Sequence, residues 1–243
     1  MALSTALLLS VVSLILLPSP SSANEGNILA TGDVLPNDAQ LSYNEAAFVM
    51  QNDCNLVLYN KAAGFESDTS GAGTKCTLTL SDHGQLVIKN GNGKQVWSSP
   101  GGNKKGEYVA VLRPDGQVNI FGPQIWSTPA LSSSSATVDA QLDDKPLVRN
   151  VLFSTQVLQE NSKLESRDYS FEITGDCNLE FRKAAVGVVW DSKTKGEGQH
   201  CFVRLDNRGR LAVVNDRYKA LWMSKPSGGG GDYVLVVQIN GQA

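Results

Sequence analysis

Apolar residues occur along the chain in short runs, separated by polar segments that favour turns. In the first half the runs form three pairs, and each pair flanks an Asn-Asp, Asp-His-Gly or Pro-Asp-Gly segment, all of which are hairpin signals. The paired runs are Ala46–Met50 with Leu56–Tyr59, Cys76–Leu80 with Leu86–Ile88, and Tyr108–Leu112 with Val118–Phe121. No stretch shows sustained helical periodicity, so the pattern predicts an all-β fold.

The same pattern occurs in the second half. The chain therefore consists of two tandem repeats, each with three similar units. Asp53-Cys54-Asn55-Leu56 returns as Asp176-Cys177-Asn178-Leu179. Turn-forming residues recur at Asp53, Asp82 and Asp115, and then at Asp176, Asn207 and Asn240. Large aromatic residues recur at Phe65, Trp97 and Trp126, and then at Trp190 and Trp222. We expect each half to be a domain of three hairpin units, with these aromatic side chains filling its pseudo-threefold axis.

The ends of the two repeats suggest domain boundaries. Residues 1–23 resemble a secretory signal peptide, because an apolar stretch precedes a proline and several small residues. A membrane anchor is the alternative, but the apolar stretch is short for one. We expect a secreted or vacuolar protein with domains over 24–130 and 149–243, the second truncated at its C-terminus. The serine-rich segment 131–148 is expected to be an exposed linker that is open to proteolytic processing.

The charge and the cysteine content narrow the possible classes of protein further. The 243 residues carry 21 Lys and Arg against 24 Asp and Glu, and this net charge of −3 argues against a nucleic-acid-binding protein. The four cysteines fall two in each half, and an even number in a secreted chain predicts disulfides. The predicted pairs are Cys54–Cys76 and Cys177–Cys201. A zinc site is the alternative, but the chain has no Cys-x-x-Cys, and its two histidines do not complete a ligand set.

One segment, Gln51–Tyr59, combines a turn with a row of polar side chains. Its odd-numbered positions carry an amide, a carboxylate, an amide, an apolar group and a phenol, whereas the even positions are mostly apolar. Alternation places the odd set on one face, and a hairpin centred near 52–54 gathers it into one cluster. Such donors and acceptors suit the hydroxyl groups of a sugar. The alternative, an exposed strand with ordinary polar residues, stays open on the pattern alone.

The sequence Gln51-x-Asp53-x-Asn55-x-Val57-x-Tyr59 resembles the sugar-binding motif of the monocot mannose-binding lectins, the bulb-type lectin family. The resemblance covers nearly the whole chain after residue 23, and the chain looks like the two-domain members from crocus and aroids. It implies two tandem β-prism II domains, each built of sheets around a pseudo-threefold axis. It also implies metal-free binding of α-mannose. In that mode Asp53 and Asn55 bind the axial O2, Gln51 binds O3, Tyr59 binds O4, and Val57 touches C3 and C4.

The other copies of the motif depart from this pattern when each is placed on its turn-forming Asp or Asn. In the first domain they are Leu80, Asp82, Gly84, Leu86 and Ile88, and then Arg113, Asp115, Gln117, Asn119 and Phe121. In the second they are Thr174, Asp176, Asn178, Glu180 and Arg182, then Leu205, Asn207 and Val213, and finally Gln238 and Asn240. We therefore expect one mannose site per chain, with Glu180 and Arg182 forming an ion pair or a different recognition surface. Multivalency then requires homo-oligomers, or heterotetramers formed after linker cleavage.

Three functions can be weighed on these features. The leading hypothesis is a lectin that recognises mannose-rich glycans and serves in defence, storage or both. The alternative is a storage or protein-interaction protein with vestigial sugar binding, as the degraded motif copies indicate. An enzyme is not expected, because a glycosidase needs two carboxylates across the bond and the intact motif carries only Asp53. We expect no cofactor, no metal, no nucleic-acid partner and no membrane insertion.

Overall fold

The structure is a computed structural model that describes residues 26–61, 64–124, 150–154, 156–225, 228–238 and 243. The predicted signal peptide (1–23), the linker (131–148), Trp126 and Asn240 lie outside these residues. The described residues form strands and turns and no helix, which confirms the all-β prediction. Among them, accordingly, no helix exists that has the length and apolar character needed to cross a membrane.

The first half contributes three antiparallel sheets. Its strands are β1 (Ile28–Ala30), β2 (Val34–Leu35), β3 (Gln40–Tyr43), β4 (Ala46–Met50), β5 (Leu56–Tyr59), β6 (Phe65–Glu66), β7 (Thr77–Leu80), β8 (Leu86–Lys89), β9 (Gln95–Ser98), β10 (Val109–Leu112) and β11 (Val118–Phe121). Sheet A has the order β1-β10-β11, sheet B the order β2-β7-β8-β9 and sheet C the order β3-β4-β5-β6. Each sheet is therefore built around one of the three hairpins predicted from the paired apolar runs.

The second half repeats this plan. Its strands are β12 (Val151–Phe153), β13 (Val157–Leu158), β14 (Lys163–Ser166), β15 (Tyr169–Ile173), β16 (Leu179–Lys183), β17 (Gly187–Asp191), β18 (Phe202–Leu205), β19 (Leu211–Val214), β20 (Ala220–Met223) and β21 (Val234–Val236). Sheet D pairs β12 with β21, sheet E has the order β13-β18-β19-β20 and sheet F the order β14-β15-β16-β17. Sheets D, E and F thus correspond to sheets A, B and C.

One turn type closes the central hairpins of five sheets. In sheet C the Gln51 N–H donates to the Asn55 carbonyl at 2.9 Å, and the Cys54 N–H donates to the Gln51 carbonyl at 3.0 Å. The fourth residue of the turn has a positive φ, 74° at Cys54. The residues with positive φ at this position in the other sheets are Gly84, Gly116, Cys177 and Gly209. This shared turn aligns the repeats by geometry, independently of residue type.

Each half encloses its own apolar core. In the first half it consists mostly of leucines from the inner faces of sheets A, B and C, and in the second half Phe171 and Phe181 are fully buried. The recurring aromatic residues meet in pairs, with ring centroids 6.0 Å apart for Phe65 and Trp97 and 5.4 Å apart for Trp190 and Trp222. However, Phe65 is 41% exposed, so the first core is filled by aliphatic side chains and not by this ring.

Each half contains one disulfide, which links two neighbouring sheets. Cys54, in the turn before β5, is bonded to Cys76 just before β7, and Cys177 is bonded to Cys201 in the corresponding places of the second half. This is the pairing predicted from the sequence, and the zinc alternative is wrong because these thiols are bonded to each other. The first disulfide is adjacent to the predicted sugar site, since Cys54 separates Asp53 from Asn55.

The two halves contact each other through sheets A and D. Ile28 and Val111 of sheet A and Val236 of sheet D form a buried apolar cluster. Phe121 at the end of β11 packs on Phe153 at the end of β12, with ring centroids 6.1 Å apart. Sheet A is consequently covered by the second half, whereas the hairpin of sheet C is not part of this contact.

Candidate functional site

The residues of the predicted site lie together on the β4–β5 hairpin of sheet C. In its register Val49 faces Val57 and Ala47 faces Tyr59, so odd-numbered residues pair with odd-numbered residues. Leu56 and Leu58 point the other way and are buried in the core. Because side chains alternate across a strand, the odd-numbered set shares the outer face of the sheet. The sequence-based geometry of this hairpin is therefore confirmed.

Gln51 and Tyr59 are joined across the site. The Gln51 Nε2 donates a 2.7 Å hydrogen bond to the Tyr59 hydroxyl. Tyr59 is nevertheless 51% exposed, so its hydroxyl and the Gln51 amide both remain open to a ligand. The bond fixes two long side chains beforehand, which reduces the conformational entropy that a ligand would have to remove.

Asp53 lies at the tip of the turn and is held by two donors. Its Oδ1 accepts the Asn55 N–H at 2.9 Å and its Oδ2 accepts the Ser70 hydroxyl at 2.7 Å. These two hydrogen bonds, first the backbone one and then that of Ser70, lower the pKa of the Asp53 carboxyl. A carboxylate has about four acceptor positions, so this exposed group keeps lone pairs for further donors.

Asn55 is buried, and its amide orientation is fixed. Its Oδ1 accepts the Ser67 hydroxyl at 3.1 Å and the Thr69 N–H at 3.2 Å. Its Nδ2 donates to a carboxylate oxygen of Glu66 at 3.3 Å. Both acceptor positions of Oδ1 are therefore occupied. The second N–H of Nδ2 is the group that Asn55 can offer to a ligand.

The other side of the site is apolar and acidic. Val57 is partly exposed and lies between Val49 of β4 and Glu66 of β6 in the sheet. This arrangement places a methyl surface beside the polar groups, which suits the C–H face of a sugar ring. Within the described residues, no cluster of His, Cys, Asp or Glu side chains is arranged to hold a metal ion.

Four residues of the site were missed by the sequence analysis: Glu66, Ser67, Thr69 and Ser70. They follow β5 in the chain and form hydrogen bonds to Asp53 and Asn55 of the motif. A signal for two of them does exist, because Ser67-x-Thr69 returns as Ser192-x-Thr194 in the second half. Ser192 and Thr194 support Asn178 there as Ser67 and Thr69 support Asn55. Comparing the two halves beyond the motif itself would have found this pair.

Two of the degraded motif copies were placed one residue out of register, and the structure corrects them. The shared turn aligns Gln51 with Ser81 in sheet B and with Asp206 in sheet E, not with Leu80 and Leu205. The misplaced residues Leu80, Leu86, Ile88, Leu205 and Val213 are buried in the cores. A slip of one residue moves a whole set of side chains to the opposite face of a sheet. The residues that the shared turn places at the motif positions are Ser81, His83, Gln85, Val87 and Lys89 in sheet B, and Asp206, Arg208, Arg210, Ala212 and Val214 in sheet E. Val87, Ala212 and Val214 among them are buried by their neighbours.

The copy in sheet A is placed correctly, but its first and last residues contact the second half. The guanidinium of Arg113 lies 5.3 Å from the ring centroid of Phe153 and 3.2 Å from the Asp115 carboxylate. Phe121, at the position of Tyr59, packs on the same phenylalanine ring. This copy therefore serves the contact between the halves.

The copy in sheet F keeps Asp176, Asn178 and the residues that support Asn178, but it lacks the counterparts of Gln51, Val57 and Tyr59. Asn178 is buried on Thr194 as Asn55 is on Thr69, and its Nδ2 donates to Glu180 at 3.0 Å. Glu180 and Arg182 form an ion pair, one of the two outcomes expected for them. Because these two residues replace Val57 and Tyr59, the apolar surface and the phenol of the sheet C site are absent from this copy.

No family model matches the chain, but several known proteins are similar to it. It is 50% identical to mannose-specific lectin 2 of Crocus vernus, over 96% of the chain and 90% of that protein. It is 40% identical to mannose-specific lectin 2 of Colocasia esculenta, over 97% of the chain and 88% of that protein. Among solved structures, the fetuin-binding agglutinin of Scilla campanulata, a two-domain lectin, matches with a TM-score of 0.78 and 30% identity. That match covers 89% of the chain and 94% of the agglutinin.

The repeated three-sheet halves and the polar hairpin site define a protein of the carbohydrate-binding class. The similarity to the Crocus protein extends over nearly all of both chains. The chain belongs to the family of mannose-specific lectins. The resemblance stated from the motif is thereby confirmed, and so is the expectation of two β-prism II units in tandem.

Proposed function

We propose that the β4–β5 hairpin of sheet C binds the terminal mannose of mannose-rich glycans, without a metal ion and without catalysis. The observation that carries the proposal is the set of hydrogen bonds that fixes Asn55 and joins Gln51 to Tyr59. These bonds hold three polar groups in one orientation before any sugar arrives, and a pre-organised site binds at lower entropic cost. The relatives in Crocus vernus and Colocasia esculenta are mannose-specific lectins, which supports the same ligand.

The hydrogen-bond pattern assigns a direction to each contact. Asp53 is an ionised acceptor, and Asn55 is a donor because its carbonyl oxygen is already used. Together they match a hydroxyl that donates and accepts, which is the role proposed for the axial O2 of mannose. Gln51 and Tyr59 are proposed to bind O3 and O4, and Val57 to touch C3 and C4.

Catalysis is not part of this proposal, for a reason that lies in Asp53. A glycosidase needs a carboxylic acid with a raised pKa as its proton donor. The hydrogen bonds from Asn55 and Ser70 instead lower the pKa of Asp53, so this carboxyl stays ionised. We propose that the hairpin recognises its sugar and releases it unchanged.

The biological setting follows the same proposal. We propose that the protein enters the secretory pathway and that it assembles into oligomers. Its proposed role is storage or defence. Assembly matters because the residues at the motif positions of sheets A, B, E and F do not repeat the intact motif, and one sugar site per chain binds weakly without multivalency. A storage or interaction protein with vestigial binding is the second candidate, favoured by these altered copies.

Calorimetric titration with a mannose trisaccharide separates the two candidates. Asp53→Asn should weaken binding by about 1–3 kcal/mol, because the sugar hydroxyl then meets a donor where it needs an acceptor. The matched control is Asp176→Asn, the same substitution at the equivalent turn position of sheet F, and it should leave the affinity unchanged. Absence of measurable binding in the parent protein would favour the storage or interaction role.

A further inference from the structure

We propose that the outer face of sheet E binds acidic saccharides, meaning sugars that carry carboxylate or sulfate groups. We call this surface the sheet E face. It is formed by residues of the turn and strands of that sheet that are at least partly exposed: Val157, Phe202, Arg204, Arg208, Arg210 and Met223. It is separate from the mannose site on sheet C and does not depend on mannose binding there.

The shared turn makes the sheet E face the geometric counterpart of the sheet C site. The Asp206 N–H donates to the Arg210 carbonyl at 3.0 Å, and the Gly209 N–H donates to the Asp206 carbonyl at 3.0 Å. By this alignment, Arg208 takes the place of Asp53 and Arg210 the place of Asn55. Two cations therefore occupy the positions at which a carboxylate and an amide meet the sugar in sheet C, so the preferred ligand changes from neutral to anionic.

The arginines of this face are free to accept a ligand. Arg204 and Arg208 are exposed, and their side chains make no hydrogen bond or ion pair with any part of the chain that the structure describes. Asp206 is already used, because it accepts the backbone N–H groups of Arg208 and Arg210 at 2.9 Å each and Nε of Arg210 at 2.7 Å. Asp206 thus braces the turn and leaves the Nη groups of Arg210 available.

Arg204 and Arg210 can act on the same ligand. Arg204 of β18 lies opposite Ala212 of β19, two residues beyond Arg210 on the same face. Diagonal neighbours in an antiparallel pair are about 7–8 Å apart at their Cα atoms, which lies within reach of two arginine side chains. Guanidinium groups bind carboxylate and sulfate-like oxyanions with paired hydrogen bonds, which favours acidic groups over hydroxyls.

The neighbouring side chains favour a saccharide over a bare ion. Met223 lies opposite Ala212, the place that Glu66 has opposite Val57 in sheet C, so the Glu66 carboxylate has no counterpart here, and Asp206 is the acid that pairs with Arg210. Val157 is 46% exposed and Met223 is 37% exposed, and with Phe202 they supply an apolar surface for the C–H face of a sugar ring. The whole chain has a net charge of −3, so overall charge does not draw a polyanion to this face.

The test is titration of the full-length protein with two probes, a heparin-derived tetrasaccharide and a galacturonic acid trimer, at low ionic strength. We expect at least one probe to bind and Arg208→Gln to weaken that binding by about tenfold, the loss typical of one charge-assisted contact. Lys163→Gln, which removes a positive charge on sheet F, is the matched control and should change the affinity less than twofold. Probe binding should persist in Asp53→Asn, so the outcome is independent of the mannose site.

Three results would overturn the proposal. The first is absence of binding by both probes. The second is an equal loss of probe affinity in Arg208→Gln and Lys163→Gln, which would indicate diffuse charge attraction. The third is tighter binding of a single-stranded oligonucleotide of equal charge, which would assign the face to nucleic acid. An unchanged thermal unfolding profile of Arg208→Gln shows that the second half of this variant is folded.

Discussion

Gln51 and Tyr59 are hydrogen-bonded through their side chains, Nε2 to hydroxyl at 2.7 Å, although eight residues separate them in the chain. The contact exists because the turn at 52–54 folds β5 back along β4 and leaves both side chains on the outer face of sheet C. It links the first and last residues of the motif, so the five motif residues act as one surface.

Removing the Tyr59 hydroxyl should weaken mannose binding without unfolding the protein. Tyr59→Phe loses the contact proposed for O4 and leaves the Gln51 amide without its partner, a cost of about 1–3 kcal/mol in binding. Calorimetric titration measures it. Tyr218→Phe is the matched control, because Tyr218 is 81% exposed and lies in the turn between β19 and β20, far from the motif in the chain. Equal affinities of the parent and Tyr59→Phe would contradict the proposed role.

Ser67 should matter to binding although it is buried behind the sugar-facing groups. Its hydroxyl accepts the Leu56 N–H at 2.9 Å and donates to the side-chain Oδ1 of Asn55 at 3.1 Å. Ser67→Ala should lower the free energy of unfolding by about 1–3 kcal/mol, because buried polar groups lose a partner, and should also weaken mannose binding.

Ser192→Ala is the control for that prediction. Ser192 bonds to the Leu179 N–H at 2.9 Å and to Asn178 in sheet F, the same arrangement in the other half. We expect a similar loss of stability by thermal unfolding but no change in mannose affinity. If both variants, or neither, lost mannose affinity, the supporting role of Ser67 would be wrong.

The Cys54–Cys76 disulfide should support the site more than its counterpart does. It closes a chain separation of 22 residues and holds the turn between Asp53 and Asn55. Replacing both cysteines by alanine should lower stability by about 3 kcal/mol and weaken mannose binding. The matched pair is Cys177→Ala with Cys201→Ala, for which we expect a comparable stability loss and intact binding. Calorimetric unfolding and sugar titration of the two double variants decide this.

Mannose binding should be insensitive to mild acid. Hydrogen bonds from Asn55 and Ser70 lower the pKa of the Asp53 carboxyl below its ordinary 3.8. A lowered pKa in the folded state means that the ionised form, and the binding it supports, is lost only as the pH falls through that lower value. We expect constant affinity from about pH 7 to about pH 5 and a decline only in stronger acid. A midpoint between about pH 5 and about pH 6, measured by titration in a pH series, would contradict the role of Asp53.

The sequence was most informative where alternation and a specific motif coincided. The strict period of two over Gln51–Tyr59 placed every motif side chain on its correct face, and the cysteine pairing was correct. The prediction that Asp82 and Asn207 are the counterparts of Asp53 is wrong, because the shared turn places His83 and Arg208 at that position. The positive φ at Gly84 and Gly209 shows that the correct alignment follows the fourth turn residue and not the acidic one.

Two further features depend on contacts that no local pattern records. Glu66 and Ser70 reach the site only because β6 pairs with β5 and the chain then returns to Asp53. The contact of the sheet A copy with the second half depends on Phe153, which lies 32 positions beyond Phe121 in the chain. Long-range packing of this kind is set by the whole fold, and short-range periodicity does not encode it.

The most direct test of the central claim is a crystal structure of the protein with methyl α-mannoside. We predict the sugar on the β4–β5 hairpin, with its axial O2 between Asp53 and Asn55 and its ring against Val57. A sugar bound only elsewhere, or an empty hairpin at saturating sugar concentration, would contradict the assignment of this site.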